Sequence, residues 1–287
     1  MKRKIWFGVG ACVLTSAGTV AQAGVQDAVA TDAYLEQAND APAADSRLWQ
    51  IAHQGGEGGE GGEGGEGGEG GEGGEAGGHD LYTDLLLMQS HLRVGRELVE
   101  QGAWDDARAH FHHPLDEVYE DIEGDLEKRG VVPFEEDLKT LAAAVESRQG
   151  GEAFDKAYSD TLALIDTAIA TVEPPEQRTP ERVLEAALDL LKEAGEEYRE
   201  AVGEGKAIDA HEYQDSRGMV WTAFDLVQSI DEPLQAKDAD AYRELMEELV
   251  ALQQAWPSVT PPEAPTLDAA AVHGGISRIE LAINRLK

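Results

Sequence analysis

Residues 96–107 read RELVEQGAWDDA, and residues 199–210 read REAVGEGKAIDA. Both segments place Arg-Glu near the end of an apolar stripe, a Gly where that stripe stops, and Asp-Ala where the next stripe begins. Gly is common just past the end of a helix, so each segment predicts a turn between two helices. The match predicts an internal repeat of two helical units. A chance match between two ordinary helix turns is the alternative.

Apolar residues on either side of these turns recur at steps of three and four, which is the spacing of one face of an α-helix. Gly and Pro residues divide the stripes into four helices in each half, and Pro114 predicts a kink or a break inside the second helix. The sequence therefore predicts an all-α fold with two tandem four-helix-bundle-like units, at residues 80–173 and 174–287. The predicted helices cover about residues 81–101, 103–129, 134–148, 153–172, 180–202, 206–230, 238–255 and 266–285.

The first 23 residues have the features of a secretory signal peptide. They combine a basic start, an apolar run of about 16 residues, and small residues at Ala21 and Ala23 where a signal peptidase would cut. An uncleaved membrane anchor and lipidation of Cys12 are the alternatives, although the run is shorter than the roughly 20 residues that span a membrane. The mature chain is therefore predicted to be exported, most simply to the periplasm, without a membrane span.

The mature chain is predicted to begin with low-complexity sequence. Residues 24–54 are rich in Ala, Asp, Gln and Pro and have few large apolar residues, which predicts a disordered leader. Residues 55–79 contain a repeated Gly-Gly-Glu tripeptide, which is typical of a flexible linker. Its carboxylates are expected to attract cations only weakly, because a free coil cannot build a rigid coordination shell.

The net charge of −34 disfavours nucleic acid and anionic lipid surfaces as partners, and favours cations and basic proteins. Solubility alone is an alternative reason for such acidity. Cys12 is the only cysteine and lies in the predicted signal peptide. Disulfides, thiolate zinc sites and the c-type attachment of haem are therefore excluded from the mature chain.

Sequence signatures of common enzymes are missing from the chain. It has no His-Glu-x-x-His zinc motif, no Gly-x-Ser-x-Gly elbow, and no Glu-x-x-His pair of the kind found in di-iron bundles. The stretch Gly203-Glu-Gly205-Lys206 lacks the spacing of a phosphate-binding loop, and Ala207 follows where Ser or Thr is required. No nucleotide cofactor is therefore expected, and the protein is predicted not to be an enzyme.

The strongest indication of a site is a pair of acids inside an apolar stripe of the second half. Ile208, Glu212 and Asp215 are spaced by four and three residues and lead into apolar positions, so both acids belong to the face that should be buried. Buried carboxylates require a cation, a base or water. His211 lies beside them, which favours a metal. An exposed helix end, or pairing of the acids with Arg199, is the alternative.

A second group of candidate ligands lies in the first half. His110, His113 and Glu117 share one flank of the second predicted helix at steps of three and four. Imidazole and carboxylate groups at this spacing can share a transition metal ion. A solvated surface that is rich in His is the alternative, and Pro114 can disturb the register. His91 borders the apolar stripe of the first helix, where a histidine bonded within the core is the alternative to a ligand.

An exported, acidic protein built from two tandem helical bundles, with His and acidic residues on its helices, resembles the imelysin-like proteins associated with periplasmic iron uptake. The stretch Ala210-His211-Glu212-Tyr213-Gln214-Asp215 is the counterpart of that family's Gly-x-His-x-x-Glu motif, which is not itself present. The resemblance covers about residues 80–287 and implies metal binding without turnover.

The leading hypothesis is a periplasmic, non-catalytic protein that binds or handles a transition metal, iron or copper. Its predicted partners are metal cations and a membrane transport component. The alternative is an acidic helical scaffold that docks a basic protein, because Gly102-Ala-Trp104-Asp-Asp-Ala107 resembles the turn of tetratricopeptide repeats. The predicted metal ligands are His211, Glu212 and Asp215, joined by His91, His110, His113 and Glu117.

Overall fold

The computed structural model describes residues 80–203 and 208–287. The predicted signal peptide, leader and Gly-Gly-Glu linker lie outside the described residues, and so do residues 204–207 of the second predicted turn. The described residues form helices, without a β-strand among them, which confirms the all-α prediction. Within this part of the chain, no helix has both the length and the apolar character needed to cross a membrane.

The helices follow the predicted apolar stripes. Those of the first half are α1 (Leu81–Glu100), α2 (Trp104–His113), a π-helical segment (Pro114–Tyr119), α3 (Glu120–Lys128), α4 (Glu135–Glu146) and α5 (Glu152–Val172). Those of the second half are α6 (Pro180–Ala201), α7 (Ala210–Gln228), α8 (Asp231–Leu252) with a 3₁₀ turn (Gln253–Ala255), and α9 (Ala269–Leu286).

In each half, four helices pack side by side, and the last packs back on the first. In the first half α1 packs on α2, α2 on α4, α4 on α5, and α5 back on α1. In the second half α6, α7, α8 and α9 contact one another in the same order, and α9 returns to α6. This arrangement confirms two four-helix units. The halves also pack together, because α1 contacts both α6 and α7, and one hydrophobic core continues through both.

Pro114 changes the course of the second predicted helix. Proline has no N–H to donate to the carbonyl of His110, and in a regular α-helix its ring would clash with that carbonyl. The chain widens at this point into the π-helical segment and resumes as α3 at Glu120. Since π-helical turns hold more residues than α-helical turns, side chains after Pro114 leave the register of α2.

Two further prolines lie at helix starts. α6 begins as predicted, with Thr179 capping its N-terminus and Pro180 in the first helical position. α8 begins at Asp231, ahead of the predicted helix start at residue 238, and Pro233 lies in its first turn, where a backbone N–H is not required. A break does occur at Asp238, which leaves the helical region and accepts a hydrogen bond from the N–H of Ala241.

Ion pairs reinforce the contact between α1 and α7. Arg217 of α7 donates two hydrogen bonds to the carboxylate of Glu97 on α1, at 3.0 and 3.1 Å. Arg93 of α1 pairs with Asp225 of α7 at 2.7 Å. These charged groups are partly buried, so solvent screens them less than it screens pairs on the open surface.

Gly95 sets the distance between α1 and α2. A Cβ atom at this position would lie 2.5 Å from Cε2 of the buried Phe111 ring. That separation is well inside van der Waals contact, so only glycine allows the two helices to approach this closely. The sequence places Gly95 in the apolar stripe, and the structure shows that Phe111 occupies the space beside it.

Replacing Gly95 with alanine should lower the free energy of unfolding by about 1–3 kcal/mol, because the added methyl group displaces the packed Phe111 ring. The matched control is Gly124→Ala on α3, where nothing lies within 4 Å of the added Cβ. That control should gain about 0.5–1 kcal/mol from its higher helix propensity. Urea unfolding followed by circular dichroism measures both changes, and equal effects of the two variants would contradict the packing role of Gly95.

Candidate metal centre

The start of α7 carries three of the predicted ligands. Asp209 caps this helix by accepting a hydrogen bond from the N–H of His211 at 2.9 Å. This cap places His211, Glu212 and Asp215 in the first two turns. Asp215 is fully buried, whereas His211 and Glu212 are partly buried. The alternative of an exposed helix end therefore does not hold for Asp215.

The other alternative was that Arg199 pairs with Glu212 and Asp215. The structure does not show this pairing among the described residues. The guanidinium of Arg199 forms ion pairs with Glu196 and Glu200, which lie on α6 beside it. All three side chains are more than half exposed. The structure therefore places the charge of Arg199 on the surface of α6.

His110 of α2 reaches α7 at Gln214. Nε2 of His110 lies 2.7 Å from Oε1 of Gln214, and both side chains are buried. These two atoms form a hydrogen bond, which leaves Nδ1 as the ring nitrogen on the side of Asp215. Nδ1 lies 3.3 Å from Oδ1 of Asp215. Gln214 therefore orients the ring, as hydrogen-bond partners of metal-binding histidines do.

Donor atoms from two halves of the chain converge at this point. One nitrogen from each of His110 and His211 and one oxygen from Asp215 all lie within 4.8 Å of one another. The two imidazole rings have centroids 4.9 Å apart. Bonds from these donor types to a transition metal are about 2.0–2.2 Å long. A single ion can therefore bind all three side chains after small adjustments.

The electrostatics of the cluster favour a cation. Burial lowers the pKa of His110 to about 3; the neighbouring His211 acts in the same direction, and the hydrogen bond to Gln214 acts in the opposite direction. His110 is therefore neutral at physiological pH, which is the form of imidazole that binds metals. Nδ1 of His110 and Oδ1 of Asp215, 3.3 Å apart, are close enough to share a proton or to bind one metal ion together.

Two of the three other predicted ligands border this cluster. His91 of α1 is fully buried, and its Nδ1 lies 3.9 Å from Oδ1 of Asp215. The ring of His113 lies 5.8 Å from that of His211, measured between centroids. Glu117 is 39% exposed and contacts Nδ1 of His113 at 3.1 Å. The structure thus brings His91 and His113 to the edge of the cluster and leaves Glu117 at the surface.

Glu197 of α6 is a candidate ligand that the sequence analysis does not identify. It is only 6% exposed, and one of its oxygens lies within 4.8 Å of oxygens of Glu212 and Asp215. The sequence does contain an indication that Glu197 is buried. Glu197 is three residues from Ala194 and four from Ala201, which are both buried on α6, so it interrupts an apolar stripe as Glu212 and Asp215 do.

Glu197 holds a proton tightly in the metal-free protein. Burial, a hydrogen bond shared with Glu212, and the charge of Glu212 together raise the pKa of Glu197 to about 10. The carboxyl is therefore protonated at neutral pH in the absence of a cation, whereas in the unfolded chain it is ionised. The pair resembles other buried carboxyl pairs, in which two like charges cannot be ionised side by side.

The second half of the chain matches a known family. Residues 173–286, which include α6 to α9, match the family model described as the iron permease-associated 4-helix bundle domain. The match supports the predicted relation of this helical bundle to iron uptake, whereas the resemblance to imelysin-like proteins stays a prediction. Searches of curated proteins and of solved structures gave no match.

Replacing Glu197 with glutamine should stabilise the metal-free protein increasingly as the pH rises from 5 to 8. In this range the unfolded chain has lost the proton of Glu197 and the folded chain keeps it, so folding of the wild type becomes less favourable with increasing pH. The glutamine has no proton to lose. The gain in unfolding free energy should increase by up to ~1.4 kcal/mol per pH unit.

Urea unfolding in the presence of a chelator measures this gain. The matched control is Glu196→Gln, since Glu196 is the adjacent residue but is exposed and paired with Arg199. The control should show no gain that depends on pH. Parallel stability curves for wild type and Glu197→Gln would contradict the assignment of a bound proton to Glu197.

Proposed function

We propose that this protein binds a transition metal ion of the iron class at His110, His211 and Asp215, and hands it on as an exported accessory protein of iron uptake. The proposal rests on one observation: a nitrogen from each of two imidazoles and an oxygen from a carboxylate lie within 4.8 Å of one another. Iron accepts both ligand types in helical bundles. The family match at residues 173–286 favours iron over copper.

The position of the ligands supports a role in holding the ion. His110 lies on α2 in the first half, and the other two ligands lie on α7 in the second half. An ion between them links the halves and stabilises the folded chain by an amount that increases with free metal concentration. Because His110 and Asp215 are fully buried, the ion is shielded from water.

Charge and chain organisation support the rest of the proposal. The net charge of −34 raises the local concentration of cations around the protein. The basic and apolar start of the chain supports export to the periplasm. The matched family is described by its association with an iron permease, so the partner that we propose is a membrane transport component.

Calorimetric titration of the mature protein tests the proposal. The protein is first stripped with a chelator and then titrated with Fe(II) under argon, with Fe(III) supplied as citrate, with Cu(II) and with Zn(II). We expect iron to bind tightly, and a His211→Ala, Asp215→Ala double variant to lose at least roughly 100-fold in affinity. That loss exceeds the 10–100-fold effect of removing a group that only orients a ligand.

The matched control is His112→Ala, because His112 belongs to the same His-rich stretch but contacts Asp116 and Glu146 at the surface. This control should bind iron as the wild type does. Circular dichroism of each variant verifies that the helices are retained. Equal affinities of the wild type and the double variant would contradict the proposed site.

A further inference from the structure

Carboxylates form a second donor group directly beside the first. One oxygen from each of Glu197, Glu212 and Asp215 lies within 4.8 Å of the others. Glu197 comes from α6, and the other two come from α7, the helix that packs most extensively on α6. Asp215 belongs to both groups, since it also approaches His110 and His211.

The burial of Glu197 indicates that this group is more than an acidic surface. The residue is 6% exposed, and although its carboxyl shares a hydrogen bond with Glu212, its Oε2 is buried without a hydrogen bond from the described residues. Surface acids on the same helix behave differently: Glu196 is about half exposed and pairs with Arg199. Burying a carboxyl oxygen without a partner costs free energy, and a multivalent cation between several such oxygens can take the place of the proton that Glu197 and Glu212 share.

Asp215 can act as a bridging ligand because it belongs to both donor groups. Its Oδ1 lies 3.3 Å from Nδ1 of His110 and 3.9 Å from Nδ1 of His91. A carboxylate has two oxygens that can bind different ions, so the same side chain can serve an ion on the histidine side and an ion on the glutamate side. Bundle cores of carboxylate proteins hold metal pairs with ligands that project inward from facing helices; here separate His and acidic positions would supply the ligands in place of the Glu-x-x-His pairs of those bundles.

We propose that the site binds two iron ions bridged by Asp215, one held by His110 and His211 and the other by Glu197 and Glu212. The inference rests on the proposed function and specifies its capacity and its ligands. The histidine side is rich in nitrogen and the glutamate side is rich in oxygen. Iron suits both sides, whereas magnesium and calcium suit only the oxygen side.

Measurement of the iron content tests the two-ion site. Chelator-stripped mature protein is loaded with Fe(II) under argon, desalted, and assayed for iron per chain by mass spectrometry, with stepwise affinities from calorimetry. We expect two ions per chain in the wild type. A Glu197→Gln, Glu212→Gln variant should keep one ion, with less than a 10-fold change in the affinity of that ion.

Two controls distinguish the buried site from other acids. Glu196→Gln alters the neighbouring exposed residue of α6 and should keep both ions. A chain that lacks residues 55–75 removes the Gly-Gly-Glu carboxylates and should also keep both ions. Thermal unfolding of every variant verifies folding, and glutamine preserves the shape of each replaced side chain.

The outcomes separate this inference from the proposed function. One tight ion in the wild type, unchanged in the Glu197→Gln, Glu212→Gln variant, would overturn the two-ion site and leave the histidine site in place. Two ions retained by that variant would also overturn it. The absence of any tight ion from the wild type would overturn the proposed function as well.

Discussion

The buried carboxylate of Asp215 is the constraint on which the described structure depends. It lies in the core between α1, α2 and α7, with Nδ1 of His110 at 3.3 Å and Nδ1 of His91 at 3.9 Å. A charge in this position costs several kcal/mol unless a proton or a metal ion balances it. The surrounding helices therefore have to hold their polar side chains in a fixed arrangement while the rest of the core packs by apolar contact.

The packing around the site supplies that rigidity. Gly95 lets α1 approach α2 closely enough for Phe111 to pack against the backbone of α1. The ion pair between Arg217 and Glu97 joins α7 to α1, and Gln214 holds the ring of His110. These contacts position ligands that come from distant parts of the sequence.

Much of this arrangement follows from helical periodicity. The all-α fold and the burial of Asp215 are predicted by steps of three and four alone, because an acid inside an apolar stripe must enter the core. The same steps predict the contact between His113 and Glu117, which occurs at 3.1 Å although Glu117 is 39% exposed. The burial of Glu197 was not predicted, because Glu193, Glu196 and Glu200 surround it in sequence. These neighbouring acids make the apolar stripe that Glu197 interrupts difficult to recognise. The contact between the halves depends on tertiary packing, which a single sequence does not specify.

Anomalous X-ray diffraction at the iron edge, from crystals of the iron-loaded protein, tests the central claim most directly. It locates bound iron without reference to any variant. An iron peak within bonding distance of His110, His211 and Asp215 is the predicted result. Iron bound only to surface acids, with none between α2 and α7, would contradict the assignment of this buried cluster as the metal centre.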